Sequence, residues 1–170
     1  MSPNTSPAVP LNRIAIVVSR FNEDVTSGLL KGAIAYLAEH GVDLPDHLIF
    51  QAPGAFEIPL IAQTLARSGQ FDGVVCLGCI IKGDTAHFEY ISLAASSGLM
   101  AASLATGIPL TFGILTTYND EQATVRSRDN AHNKGREAAA ACIDALDALR
   151  AIDAKRVRDL RDGATPALRT

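Results

Sequence analysis

The chain predicts an α/β fold, a three-layer α/β/α sandwich around a four-stranded parallel sheet. Two observations carry this. Short apolar runs, rich in β-branched residues, alternate with segments of helical periodicity along the 170 residues. Each apolar run is followed by a polar or glycine-containing segment, which is where an open parallel sheet presents its ligands.

Residues 1–12 are rich in Ser, Pro and Asn and lack periodicity, so they read as a mobile arm. Residues 13–19 (RIAIVVS) form a first buried strand. Leu29, Leu30, Ala33, Ile34, Leu37 and Ala38 then recur at helical spacing, and Gly41 is a natural stop. Residues 47–52 (HLIFQA) are a second strand and 58–67 a helix that ends near Gly69. Residues 73–81 (GVVCLGCII) are a third strand, followed by a helix over 87–106. Residues 108–116 (IPLTFGILT) are a fourth strand, followed by a short helix over 120–126. A long helix over 134–152 closes a single domain of residues 13–152, and residues 153–170 read as a tail that frays. No internal repeat is present.

Composition narrows the function. Apolar residues make up 48% and charged residues 19%, which excludes a disordered chain. The net charge of −3 gives no basic excess for nucleic acid. Residues 1–10 have no secretory pattern, and no apolar run approaches the ~20 residues of a membrane span. Three cysteines are an odd number for a disulfide scaffold, so the cytoplasm is the expected compartment. Cys76 and Cys79 form a C-x-x-C inside a strand, where their side chains point to opposite faces, so packing is the expected role. No histidine pair has a trustworthy metal-ligand spacing. Dinucleotide, P-loop and nucleophile-elbow motifs are absent.

The post-strand segments carry the candidate chemistry. In GDTAH, Gly83 permits close backbone approach or a positive φ, and Asp84 and Thr85 serve either as a helix cap or as part of an anion site. His87 follows; an imidazole ordinarily titrates near neutrality and suits proton transfer. Arg126 and Lys134 flank the last connection, either as phosphate ligands or as solvated helix residues. Phe21, Phe56 and Phe112 suit either stacking on a flat heterocycle or core packing, the commoner fate of isolated Phe.

Together, RFNEDVTSGLLKGA, PGAFEIP, LGCIIKGDTAHFEYI, PLTFGILTTYNDEQA and NKGREAA resemble the successive blocks of the 6,7-dimethyl-8-ribityllumazine synthase family. The resemblance covers about residues 14–149. It implies a flavodoxin-like fold and a transferase of riboflavin biosynthesis. That enzyme condenses 5-amino-6-(D-ribitylamino)pyrimidine-2,4-dione with 3,4-dihydroxy-2-butanone 4-phosphate, without metal or organic cofactor. It also implies roles. Phe21 would stack on the pyrimidinedione, with Asn22 beside it. Ala55, Phe56 and Glu57 would hold the ribityl-bearing substrate, and Cys79, Ile80 and Ile81 would meet the heterocycle's polar edge. Asp84, Thr85 and Arg126 would bind the phosphate, with Lys134 nearby. His87 would shuttle protons. Phe112 would come from a neighbouring subunit, because the family forms homopentamers and, in some members, larger shells. Small-molecule substrates are the only other partners implied; neither nucleic acid nor a membrane is expected. Lys82, Cys79, Ser127, Arg128 and His132 depart from the family's usual residues. The rival reading is a non-catalytic flavin or lumazine binder, or a shell-forming protein, on the same scaffold.

Overall fold

The computed structural model describes residues 12–161. The elements run β1 (Ile14–Ser19), α1 (Glu23–Glu39), a 3-10 turn (Asp46–Leu48), β2 (Ile49–Ala52), α2 (Ile58–Arg67), β3 (Gly73–Ile81), α3 (His87–Thr106), β4 (Leu110–Thr117), α4 (Asp120–Ser127) and α5 (Lys134–Arg161). The four strands are parallel in the order β2-β1-β3-β4. From β1 the chain adds one strand on one side and the next on the other. That reversal opens a crevice beyond the carboxyl ends of β1 and β3.

Burial on both faces explains the continuous apolar runs. Along β1, Ile14, Ile16 and Val18 pack under α1 and α5 with Leu29, Leu37, Leu77 and Cys142. Ala15 and Val17 face α2 and α3 with Ile58, Ala62, Val74 and Leu99. Each fully buried Ile or Leu contributes about 1.5–3 kcal/mol, so the two aliphatic layers hold the sandwich without large aromatics. The expected split of the C-x-x-C is present: Cys79 belongs to the first layer and Cys76 to the second. Burial pushes the Cys79 thiol up to about 11 and the Cys142 thiol up to about 12, and it raises Cys76 too. All three stay protonated at neutral pH and serve as packing groups.

Several boundaries differ from the sequence expectation, by one residue at the start of β1 and the end of α4 and by more at three elements. The second strand starts at Ile49, because Asp46–Leu48 closes a 3-10 turn after Pro45. The fourth spans Leu110–Thr117, two residues later at its start and one at its end. The last helix does not fray at 152 but continues to Arg161. Its added turns hold Ala, Lys and Arg and no Gly or Pro, and good helix formers propagate an established helix. Gly41 ends α1 as expected, at φ +75°. Residues 1–11, most of the expected arm, and 162–170 lie outside the described residues.

Candidate active site

The strand ends build a cleft of about 630 Å3. Phe21 and Asn22 enter it from the β1–α1 turn, Ala55, Phe56 and Glu57 from the β2–α2 turn, and Cys79, Ile80 and Ile81 from the end of β3. His87 and Ile91 on the first turns of α3, and Asp120 at the start of α4, complete it. Asn22 makes the first turn possible. It is the only non-glycine with positive φ among the described residues, at +59°, a conformation Asn tolerates better than most side chains. Its Nδ2 donates to the Cys79 carbonyl at 2.9 Å, which ties the Phe21 turn to the tip of β3. The Asn22 amide therefore braces the cleft, and that Cys79 carbonyl already has a donor.

The phenylalanines are not core residues. Phe21 is 69% exposed, Phe56 56% and Phe112 45%. Solvent-facing rings suit stacking on a flat ligand; Phe21 and Phe56 follow strand ends, whereas Phe112 lies within β4. The cap reading of the phosphate segment also fails. The residue before α3 is Ala86, with no side-chain cap, and Thr85 Oγ1 makes only a 3.4 Å contact as acceptor from the His87 N–H. Asp84, Thr85 and His87 are all exposed. The segment is fixed at its base, where the Lys82 N–H donates to Thr117 O at 2.8 Å and the Lys82 ammonium pairs with Glu89 at 3.0 Å.

Asp84 and Thr85 line neither this cleft nor the next, and Phe112, Arg126 and Lys134 do not join the other predicted residues. They line a second cleft, about 370 Å3, between the outer strand β4 and the helices α4 and α5. Arg126 Nη1 donates to Gln122 O at 2.9 Å, one turn back along α4. Lys134 pairs with Glu137 at 2.7 Å on the first turn of α5. The two clefts differ in charge. The first holds the Glu57 and Asp120 carboxyl groups, and the second holds Arg126 and Lys134 against Glu137. Ile91, Asp120 and Glu137 were not anticipated, for nothing in a single sequence marks a helix residue as cleft-facing. Among the described residues no group of three or more His, Cys, Asp or Glu could hold a metal ion, and no helix is long and apolar enough to cross a membrane.

Comparison with known proteins gives the family. The family model described as 6,7-dimethyl-8-ribityllumazine synthase matches residues 12–150. The chain belongs to the 6,7-dimethyl-8-ribityllumazine synthase family. It is 64% identical over 148 residues to 6,7-dimethyl-8-ribityllumazine synthase 1 of Caulobacter vibrioides, covering 87% of this chain and 95% of that protein. It is 50% identical to the synthase of Salinibacter ruber, over 78% of this chain and 85% of that one. The Nitratidesulfovibrio vulgaris synthase is 48% identical, over 79% and 86%. Every residue of both clefts lies inside the span matched to the lumazine synthase family.

Proposed function

We propose that this chain condenses 5-amino-6-(D-ribitylamino)pyrimidine-2,4-dione with 3,4-dihydroxy-2-butanone 4-phosphate to 6,7-dimethyl-8-ribityllumazine, releasing phosphate and water. The observation that carries the reading is the pair of complementary clefts within this family's sequence. One offers exposed aromatic rings and carboxylates, suited to a flat, polyhydroxylated substrate; the other offers the Arg126 guanidinium, with Lys134 paired to Glu137 beside it, suited to a phosphate. Phe21 and Phe56 stack on the pyrimidinedione, Glu57 accepts from ribityl hydroxyls, and Ala55, Ile80 and Ile81 shape the floor. Thr85, Asp84 and Arg126 receive the phosphorylated substrate, with Lys134 adding charge. His87 moves protons as the imine forms, phosphate leaves and the ring closes.

The two clefts share no lining residue, and in this reading the working site takes one cleft from each of two subunits. A homopentamer supplies that seam. On α3, Tyr90, Leu93, Met100 and Leu104 are exposed at spacings of three, seven and four residues, which puts them on one helix face of the kind that packs on another helix. Leu93→Glu is expected to lower the assembly to monomers in sedimentation velocity and to abolish turnover; an unchanged sedimentation coefficient would exclude α3 from the contact. The three free buried thiols fit a reducing compartment, and we place the enzyme in the cytoplasm.

Purified protein mixed with both substrates should generate lumazine absorbance and stoichiometric phosphate. A rate no higher than the spontaneous condensation would defeat the proposal and leave the rival, a binder without turnover. His87→Ala is expected to lower kcat by about 10²-fold or less, near the lower end of general acid–base contributions. Wild-type activity in that variant would remove His87 from the chemistry.

A further inference from the structure

The α4–α5 connection carries Arg126 at one end and Lys134 at the other, yet it turns without a left-handed residue. Asn22 alone among described non-glycines has positive φ, and Arg128 sits at φ −61°, ψ 152°. What holds the connection is Asn133, 1% exposed and outside both clefts. Its Nδ2 lies within donor range of Gly28 O (3.1 Å), Ser127 O (2.9 Å) and Arg128 O (3.0 Å). Its Oδ1 accepts from the N–H groups of Gly135 (2.8 Å) and Arg136 (3.2 Å). Two hydrogens serve three carbonyls, so at least one is shared. The neighbours fix the amide's orientation: only carbonyls face the nitrogen and only N–H groups face the oxygen. No other common side chain of this size both donates and accepts here; a carboxylate only accepts.

The surface under the carboxamide is bare backbone. A Cβ at Gly32 would collide with the Asn133 carboxamide, and one at Gly28 would collide with Ser127 O. The clamp therefore joins the last turn of α4, the connection and the first turn of α5 to α1. The same helix α1 starts directly after Asn22, so the clamp also references the basic cleft to the body of the domain.

We infer that Asn133 is a positioning residue: by clamping the connection onto α1 it sets Arg126 and Lys134 in place for the phosphate of the second substrate. The inference rests on the proposed synthase reading. Its test is steady-state kinetics and inorganic-phosphate titration on full-length Asn133→Asp, Asn133→Ser and Gly32→Ala. The KM for the butanone phosphate should rise about tenfold or more, the scale of a lost buried hydrogen bond, with phosphate binding weakened in parallel. The KM for the pyrimidinedione should stay within about twofold, because removing uniform phosphate binding leaves the other cleft intact. A purely structural role predicts a lower melting temperature with both KM values and phosphate affinity unchanged, and that result in any variant that folds overturns the inference. Asn133→Ser keeps a hydroxyl at the position and Gly32→Ala keeps the carboxamide but displaces it, so the test survives if Asn133→Asp does not fold. Absence of turnover in the wild-type protein would instead count against the synthase reading, while the phosphate titration would still decide the role of Asn133.

Discussion

Arg126→Ala is expected to raise the KM for 3,4-dihydroxy-2-butanone 4-phosphate about 10- to 100-fold, because a hydrogen bond to a charged group is worth about 1.5–3 kcal/mol. Arg126 carries five N–H donors and gives one nitrogen to Gln122 O, which braces the guanidinium along α4 and leaves donors for a phosphate. Among the described residues it makes no ion pair with a carboxylate, so its charge is not cancelled by a direct partner. Lys134 cannot replace it, since its ammonium lies against Glu137. Arg126→Lys should recover only part of the loss, because a point charge does not reproduce a bidentate fork. The KM for the pyrimidinedione should barely move. Measuring both constants by lumazine absorbance checks the prediction; an unaltered butanone-phosphate KM would take Arg126 out of the site.

Gly135→Ala is expected to be the most destabilising small substitution, at about 3 kcal/mol, the upper end of what overpacking usually costs. Here α5 crosses α1 so closely that a Cβ on Gly135 would overlap the Leu29 backbone, with Leu29 Cα only 2.8 Å away. Backbone cannot rotate aside as a side chain does, so the two helices must separate and open the aliphatic layer between them. For a domain of this size the loss corresponds to a fall in Tm of roughly 10 °C. Gly83→Ala is the control: nothing lies within 4 Å of its Cβ and its φ is not positive, so its melting curve should match the parent. Equal Tm values for the two variants would refute the close crossing. Calorimetry at one fixed protein concentration makes the comparison fair, because association shifts apparent stability.

Much of this was legible in the residues themselves. Buried parallel strands read as unbroken apolar runs, and RIAIVVS and GVVCLGCII could hardly be anything else. The ends of α1 and α2 were marked by glycines and the start of β3 by Gly73. The end of α5 was not, since helix formers with mixed charge give no signal until Gly163. Asn133 was invisible for a different reason. An Asn before a helix looks like an ordinary cap, and its clamp depends on two α1 glycines about a hundred residues away. The separation of the clefts was likewise hidden. Phe112 lies on β4 and Arg126 follows it, and the order β2-β1-β3-β4 that puts this strand at the edge of the sheet is not written in the sequence.

The division into two clefts has a genetic consequence. In the homopentamer proposed above, a chain damaged only in the Phe21–His87 cleft would still lend a sound Arg126 cleft to its neighbour, and the reverse would hold equally. Two alleles that are each silent alone can therefore rescue one another when co-expressed, since chance pairing around a closed ring makes about one seam in four wholly intact. A single defective allele beside a normal one would cost the cell only the seams it touches.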